Sequence, residues 1–189
     1  MKKIFTILIS VMAVCACTDG WTDKEMEIIN DAGPMHVYTV ENPKENKVLH
    51  KKCKNLTDEM IRANEYDNIT ARMIATLKDP ATEGVGIAGP QVGVLRRIVA
   101  VMRYDKPGIP YEAYPNIRIV KFNGETSLSS EGCLSVPDAK VTLPRYHDIE
   151  ISYTDPVTLR DTTEKVTGFA AVIFQHECDH LDGILFTEK

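Results

Sequence analysis

The chain has 189 residues, 43% hydrophobic and 26% charged, enough to bury one apolar core without disulfide staples and ordinary for a globular domain. That excludes wholesale disorder, a collagen-like repeat and a multi-pass membrane protein. The net charge of −5 comes with no basic patch, so no nucleic-acid partner is expected.

In chain order, Lys2-Lys3 precede an apolar run from Ile4 to Ala16 broken only by Thr6 and Ser10. The run is too short to span a bilayer as a helix and has the layout of a secretory signal peptide. It ends in Val14-Cys15-Ala16-Cys17, similar to a bacterial lipobox. Residues 1–16 are therefore expected to be a lipoprotein signal peptide, with Cys17 lipidated. Acyl chains there would anchor the protein on a membrane of the bacterial cell envelope. A cytoplasmic chain that keeps this run as a buried element is the alternative. Residues 17–34 are polar without clear periodicity and read as a tether, leaving a compact domain over 35–189.

Thr57 or Asp58 can cap a helix whose apolar residues Met60, Ile61, Ile69, Met73, Ile74 and Leu77 recur at helical spacing to Lys78, before Asp79-Pro80 stops it. Gly84 to Pro90 reads as a loop of small residues. Strands are expected at Ile98–Met102, Tyr114–Val120, Ile149–Thr154 and Thr163–Thr167. A last helix is expected from about Gly168 to Leu181. One helix early, strands between and one helix late indicate an α+β fold.

The chemistry concentrates in three separated segments. On the last helix, His176-Glu177-Cys178-Asp179-His180 sets two imidazoles one turn apart on one face. Such a pair binds one metal ion, with Glu177 placed to act as general base on a water. A catalytic metal needs a third protein ligand, a carboxylate or a thiolate. Glu131-Gly132-Cys133-Leu134-Ser135 offers the thiol of Cys133 in a turn or strand. Removal of residues 1–16 leaves Cys53, Cys133 and Cys178 as the cysteines that could pair, an odd number that argues against a disulfide framework. Cys53 and Cys178 read as unpaired packing residues. In the third segment, Gly84 to Gln91, glycines permit close backbone approach, and the Gln91 amide suits a developing oxyanion. His36, His50 and His147 lack a ligand-spaced partner. Glu131 has Arg145 as a candidate ion-pair partner, and Asp179 is a candidate support for the ligand histidines.

Together, Gly84-Val85-Gly86-Ile87-Ala88-Gly89-Pro90-Gln91, Glu131-Gly132-Cys133-Leu134-Ser135 and Gln175-His176-Glu177-Cys178-Asp179-His180 resemble the three motifs of peptide deformylases, in the same order. Ile87 and Gly89 stand where many members carry Leu and Ala, and Lys140 where many bacterial members have Arg. The chain stops at Lys189, where many relatives continue into a further helix. The resemblance covers Met35 to Phe186. It implies antiparallel sheets packed around the metal-binding helix, and an Fe(II) enzyme, with Zn(II) the alternative, that removes the formyl group from N-formylmethionyl peptides or polypeptides. By the same resemblance Cys133, His176 and His180 are the metal ligands and Glu177 handles the water's proton. The Gln91 amide and the Leu134 N–H stabilise the oxyanion. Val85, Gly86, Phe169 and Ile173 wall the methionine pocket, and the peptide backbone lies near Gly132 and Leu134. A non-catalytic envelope lipoprotein that binds formyl peptides, and a general zinc peptidase, are the competing readings.

Overall fold

A computed structural model describes residues 20–189. The expected leader 1–16 and the expected lipidation site Cys17 lie outside the described residues.

The first element departs from the expected tether. Asp23–Asn30 form a helix, α1, capped by Thr22, whose hydroxyl accepts from the Glu25 N–H at 3.2 Å while the Glu25 carboxylate accepts from the Thr22 N–H at 2.9 Å. Such a reciprocal cap satisfies two donors at the helix start. Ile29 is fully buried, and Glu25 is buried against Arg96. The anchor arrives from 71 positions away, so no local periodicity announces this helix. A second short helix, α2, spans Pro43–Leu49 with Asn42 as its cap.

The expected helix over 57–78 is present but broken. Thr57 caps α3, Asp58–Arg62, and α4 runs Asn64–Lys78. Between them Ala63 is extended at φ −80, ψ 150, which swings α4 onto a new axis. Ile69, Met73 and Leu77 of α4 are buried with Met60 and Ile61 of α3, as the spacing predicts. The helix ends at Asp79, ahead of Pro80.

All five pairings between the strands of the described residues are antiparallel. β1 (Gly86–Ala88), β2 (Ile98–Met102) and β3 (Tyr111–Pro115) form one sheet in that order. β4 (Arg118–Phe122), β7 (Asp148–Thr154) and β8 (Asp161–Thr167) form another, in the order β4-β7-β8. β5 (Thr126–Cys133) and β6 (Val136–Tyr146) make a separate hairpin. The strand expected at Tyr114–Val120 is thus two strands in two sheets. The chain turns at Asn116, φ 56, whose side chain accepts from the Leu56 N–H at 2.7 Å and donates to the Thr154 hydroxyl at 3.1 Å. Asn tolerates that left-handed conformation better than most residues, and its tertiary hydrogen bonds hold the corner.

The last helix, α5, spans Gly168–Leu181, as expected. Ala170, Ala171, Phe174, Cys178 and Leu181 face Val99, Val101, Tyr114, Ile149, Ile151 and Val166 of the two larger sheets. Phe174 is fully buried; burial of that ring contributes roughly 1.5–3 kcal/mol. A second core forms between α3, α4 and the other face of the first sheet, through Ile87, Ile98 and Ala100. The fold is α+β, with antiparallel sheets packed around the helix that carries the two histidines.

Candidate active site

α5 delivers His176, Glu177 and His180 from one buried face. The β5–β6 hairpin delivers Cys133, the last residue of β5, with Leu134 and Ser135 forming the turn to β6. Ligand atoms of Cys133, His176 and His180 all lie within 4.8 Å of one another, and His180 Nε2 is 3.1 Å from Cys133 Sγ. Among the described residues this is the one group of three such side chains gathered closely enough to hold a metal ion.

Support for the cluster comes from behind. Glu131 accepts at 2.7 Å from His176 Nδ1, which fixes the ring and leaves Nε2 to act as a ligand. Arg145 holds the same carboxylate with two hydrogen bonds, 2.6 and 3.0 Å, and reaches Asp179 at 2.8 Å. Burial alone would raise the Glu131 pKa, but hydrogen bonds from His176 and Arg145 outweigh it and hold the carboxyl down at about 2. His176 is also buried, which works against its cation. Hydrogen bonds to Cys133 and Glu131 reverse this and lift its pKa to about 10. His180 goes the other way, well below the usual imidazole range, through burial and then the charge of His176. A thiol and two imidazoles, one backed by a carboxylate, fit a divalent transition metal.

Two groups flank the cluster. Burial lifts the Glu177 carboxyl to about 7, and its Oε2 is enclosed without a hydrogen-bond partner. Gly86 of β1 makes room for this carboxylate, because a Cβ there would lie 2.4 Å from Glu177 Oε1. Gln91 sits in a single 3-10 turn, Gly89–Val92. Its Oε1 accepts from the Ala88 N–H at 2.8 Å, so its Nε2 faces the site, donating to Ser135 Oγ at 3.1 Å and lying 3.6 Å from Cys133 Sγ.

A cavity of about 760 Å³ opens over these groups, and Val85, Gly86, Gln91, Gly132, Cys133, Leu134, Phe169, Ile173, His176 and Glu177 all line it. His180 is 1% exposed and lies behind the lining, beside the Cys133 thiol. Phe169, expected as a wall, is 47% exposed and pairs edge-on with Tyr104 at 5.2 Å, so it forms part of the rim.

Residues 35–189 match the profile of the polypeptide deformylase family. The chain belongs to the peptide deformylase family. A curated peptide deformylase of Roseiflexus castenholzii is 34% identical over 169 residues, covering 83% of this chain and 89% of that protein. One from Flavobacterium psychrophilum is 35% identical over 155 residues, covering 75% and 77%. Among solved structures, a class I type b peptide deformylase of Acinetobacter baumannii superposes with TM-score 0.74 at 30% identity, covering 84% of this chain and all of that one. The Thermotoga maritima deformylase gives 0.71 at 30% identity, covering 84% and 98%. The Acinetobacter enzyme has also been solved with Met-Ala-Ser bound.

Family membership makes this chain a metal-dependent deformylase, a hydrolase of the linear formamide bond. The peptidase and non-catalytic readings lose their ground. Sequence reasoning missed one polar partner of this deformylase site. Ser135 takes up the Gln91 amide, and a lone serine in a turn carries no pattern to reveal it. Cys53 and Cys178 are free thiols, each pushed up to about 12 by burial. His36, His50 and His147 bond elsewhere, to Glu45, Glu188 and Ser129. No helix among the described residues is long and apolar enough to cross a membrane.

Proposed function

We propose that this chain removes the N-formyl group from N-formylmethionyl peptides or proteins and releases formate, with Cys133, His176 and His180 holding the metal. The observation that carries the assignment of roles is the convergence of one thiol and two imidazoles, from distant stretches of chain, beside a buried carboxylate. When bound, a divalent ion acidifies water and polarises a carbonyl oxygen. Glu177 takes the proton of the attacking water at its carboxylate and returns one to the leaving amine. A carboxyl whose pKa is near 7 suits both transfers at neutral pH. The Gln91 Nε2–H and the Leu134 N–H donate to the oxyanion; one such donor is worth roughly 3–4 kcal/mol. Val85, Gly86 and Ile173 enclose the methionine side chain, Phe169 closes its outer edge, and the peptide backbone runs past Gly132 and Leu134. Because a formyl carbon carries only hydrogen, a crowded floor admits it and rejects bulkier acyl groups.

The test is formate release from formyl-Met-Ala by anaerobically prepared protein, with cleavage of internal peptide bonds as the contrast. Glu177→Ala keeps the metal and lowers kcat by about 10²–10⁴; a variant that turns over normally removes Glu177 from the mechanism. Fe(II) is the proposed native ion, by family resemblance. The same donor set accepts Zn(II), which raw affinity favours. Zinc alone in protein purified anaerobically from its own host overturns iron.

Residues 1–16 are read as a lipoprotein signal peptide and Cys17 as its acylated residue. The support is the order Lys2-Lys3, apolar run, Cys17. A bacterial envelope enzyme of this kind would act on formyl peptides or exported polypeptides. Globomycin-sensitive processing and palmitate incorporation at Cys17 test this; a cytoplasmic product that keeps Met1 refutes it.

A further inference from the structure

The family match begins at residue 35, yet residues 20–34 grip the catalytic body tightly. Glu25 of α1 forms a buried ion pair with Arg96 at 3.0 Å, both side chains 7% exposed. Arg96 also donates to the Gly20 carbonyl at 2.6 Å and lies over the Trp21 ring at 5.8 Å. These contacts converge on the segment that presents Gln91. The backbone of Arg96 supports Gly89, where a Cβ would lie 2.5 Å from the Arg96 carbonyl oxygen. Gly93, at φ 80, closes the Gly89–Val92 turn, and a Cβ on it would lie 2.9 Å from Ile28 Cδ1 and 2.5 Å from Tyr38 Oη. Tyr38 donates its N–H to the Gln91 carbonyl at 2.7 Å. The turn therefore lies between the active site and the N-terminal segment, with Ile28 of α1 close to Gly93 and Glu25 of α1 reaching the Gly89 end through Arg96.

We propose that α1 is a positioning element for Gln91, with Glu25 and Ile28 the residues that act through the Gly89–Gly93 turn. Neither is among the residues that line the cavity. Their contribution is to fix where the Gln91 amide stands relative to the thiol and the incoming oxyanion. A donor loosened by a fraction of an ångström binds substrate as before but stabilises the transition state less. The effect therefore belongs in kcat, with KM unchanged.

The inference rests on the oxyanion role proposed for Gln91, and a double-mutant cycle separates the two. Glu25→Ala and Ile28→Ala are each combined with Gln91→Ala, and kcat and KM for formyl-Met-Ala are measured on metal-loaded full chain. Each single α1 variant is expected to lower kcat about tenfold with KM unchanged. In the Gln91→Ala background the same changes are expected to cost less than about twofold, because the group they position is gone. If Gln91→Ala alone leaves kcat intact, the role of Gln91 falls. If Gln91→Ala is impaired and the α1 substitutions cost the same with or without it, or cost nothing, the positioning role falls. Ile28→Ala removes no charge partner, so it keeps the test open should Glu25→Ala, which strands buried Arg96, fail to fold.

Discussion

Gly86→Ala tests the packing of the site at a single carbon. The added Cβ would lie 2.4 Å from Glu177 Oε1 and 2.7 Å from Ile173 Cγ2. Ordinary contact begins near 3.4 Å, so Glu177 Oε1 must retreat by about 1 Å and Ile173 Cγ2 by a smaller amount, and misplacement of a reacting group by about 1 Å costs on the order of 10²-fold in rate. Ile173 is 4% exposed and Glu177 3%, so neither side chain has open space behind it, and the carboxylate is displaced with the isoleucine. The metal ligands are untouched. The expectation is full metal content, about 1–3 kcal/mol lower stability from overpacking, and kcat reduced about 10²-fold. Formate release under single-turnover conditions, beside metal analysis and thermal melting of the same sample, reads all three. A folded, metal-loaded variant with kcat within about threefold of the parent would refute the claim that Gly86 exists to seat Glu177.

Three further outcomes follow from the same contacts. Cys133→Ser should lower metal affinity more than about tenfold, since a serine hydroxyl stays protonated at neutral pH; equilibrium dialysis that finds unchanged affinity removes Cys133 from the ligand set. Arg145→Met should destabilise the fold by about 3–5 kcal/mol, because Glu131, 4% exposed like Arg145, loses its guanidinium partner and keeps only the His176 hydrogen bond. Denaturant unfolding checks it, and a loss below about 1 kcal/mol contradicts the buried-pair assignment. Burial tends to raise the Glu25 pKa, but hydrogen bonds from Arg96 and the Thr22 N–H prevail and hold it below 4.5. A depressed carboxylate stabilises the fold fully above its unfolded value and loses that contribution as pH falls through the folded value. The melting-temperature advantage of the parent over Glu25→Gln should therefore shrink from neutral pH to about pH 3; an advantage that stays constant argues against the ion pair.

The helix with His176 and His180 was legible because both signals are local: apolar residues at helical spacing, and ligands one turn apart. Cys133 stood out as a candidate thiolate in a glycine-containing segment, but the full proposed ligand set came from resemblance, since nothing local points Cys133 at α5. The hairpin that carries it escaped because β5 is exposed at most positions and shows no alternation of apolar and polar residues. The break at Ala63 escaped because the apolar spacing continues on both sides of it. The corner at Asn116 is imposed by its distant partners Leu56 and Thr154. α1 was hidden for a related reason. Its acidic, polar composition reads as solvent-loving until Arg96 supplies the countercharge.

Under the lipid anchor proposed for Cys17, the clasp on Gly20 would set a standoff distance. With a lipid on Cys17, only Thr18 and Asp19 separate the anchor from the residue that Arg96 grips at 2.6 Å. Three residues of fully extended backbone reach about 10 Å, little more than the headgroup layer of one leaflet. If Cys17 carries the lipid proposed above, an enzyme tied so short would have little slack to tumble. It would ride the bilayer as a fixture with one face always down, and its substrates would have to come to it along the membrane surface.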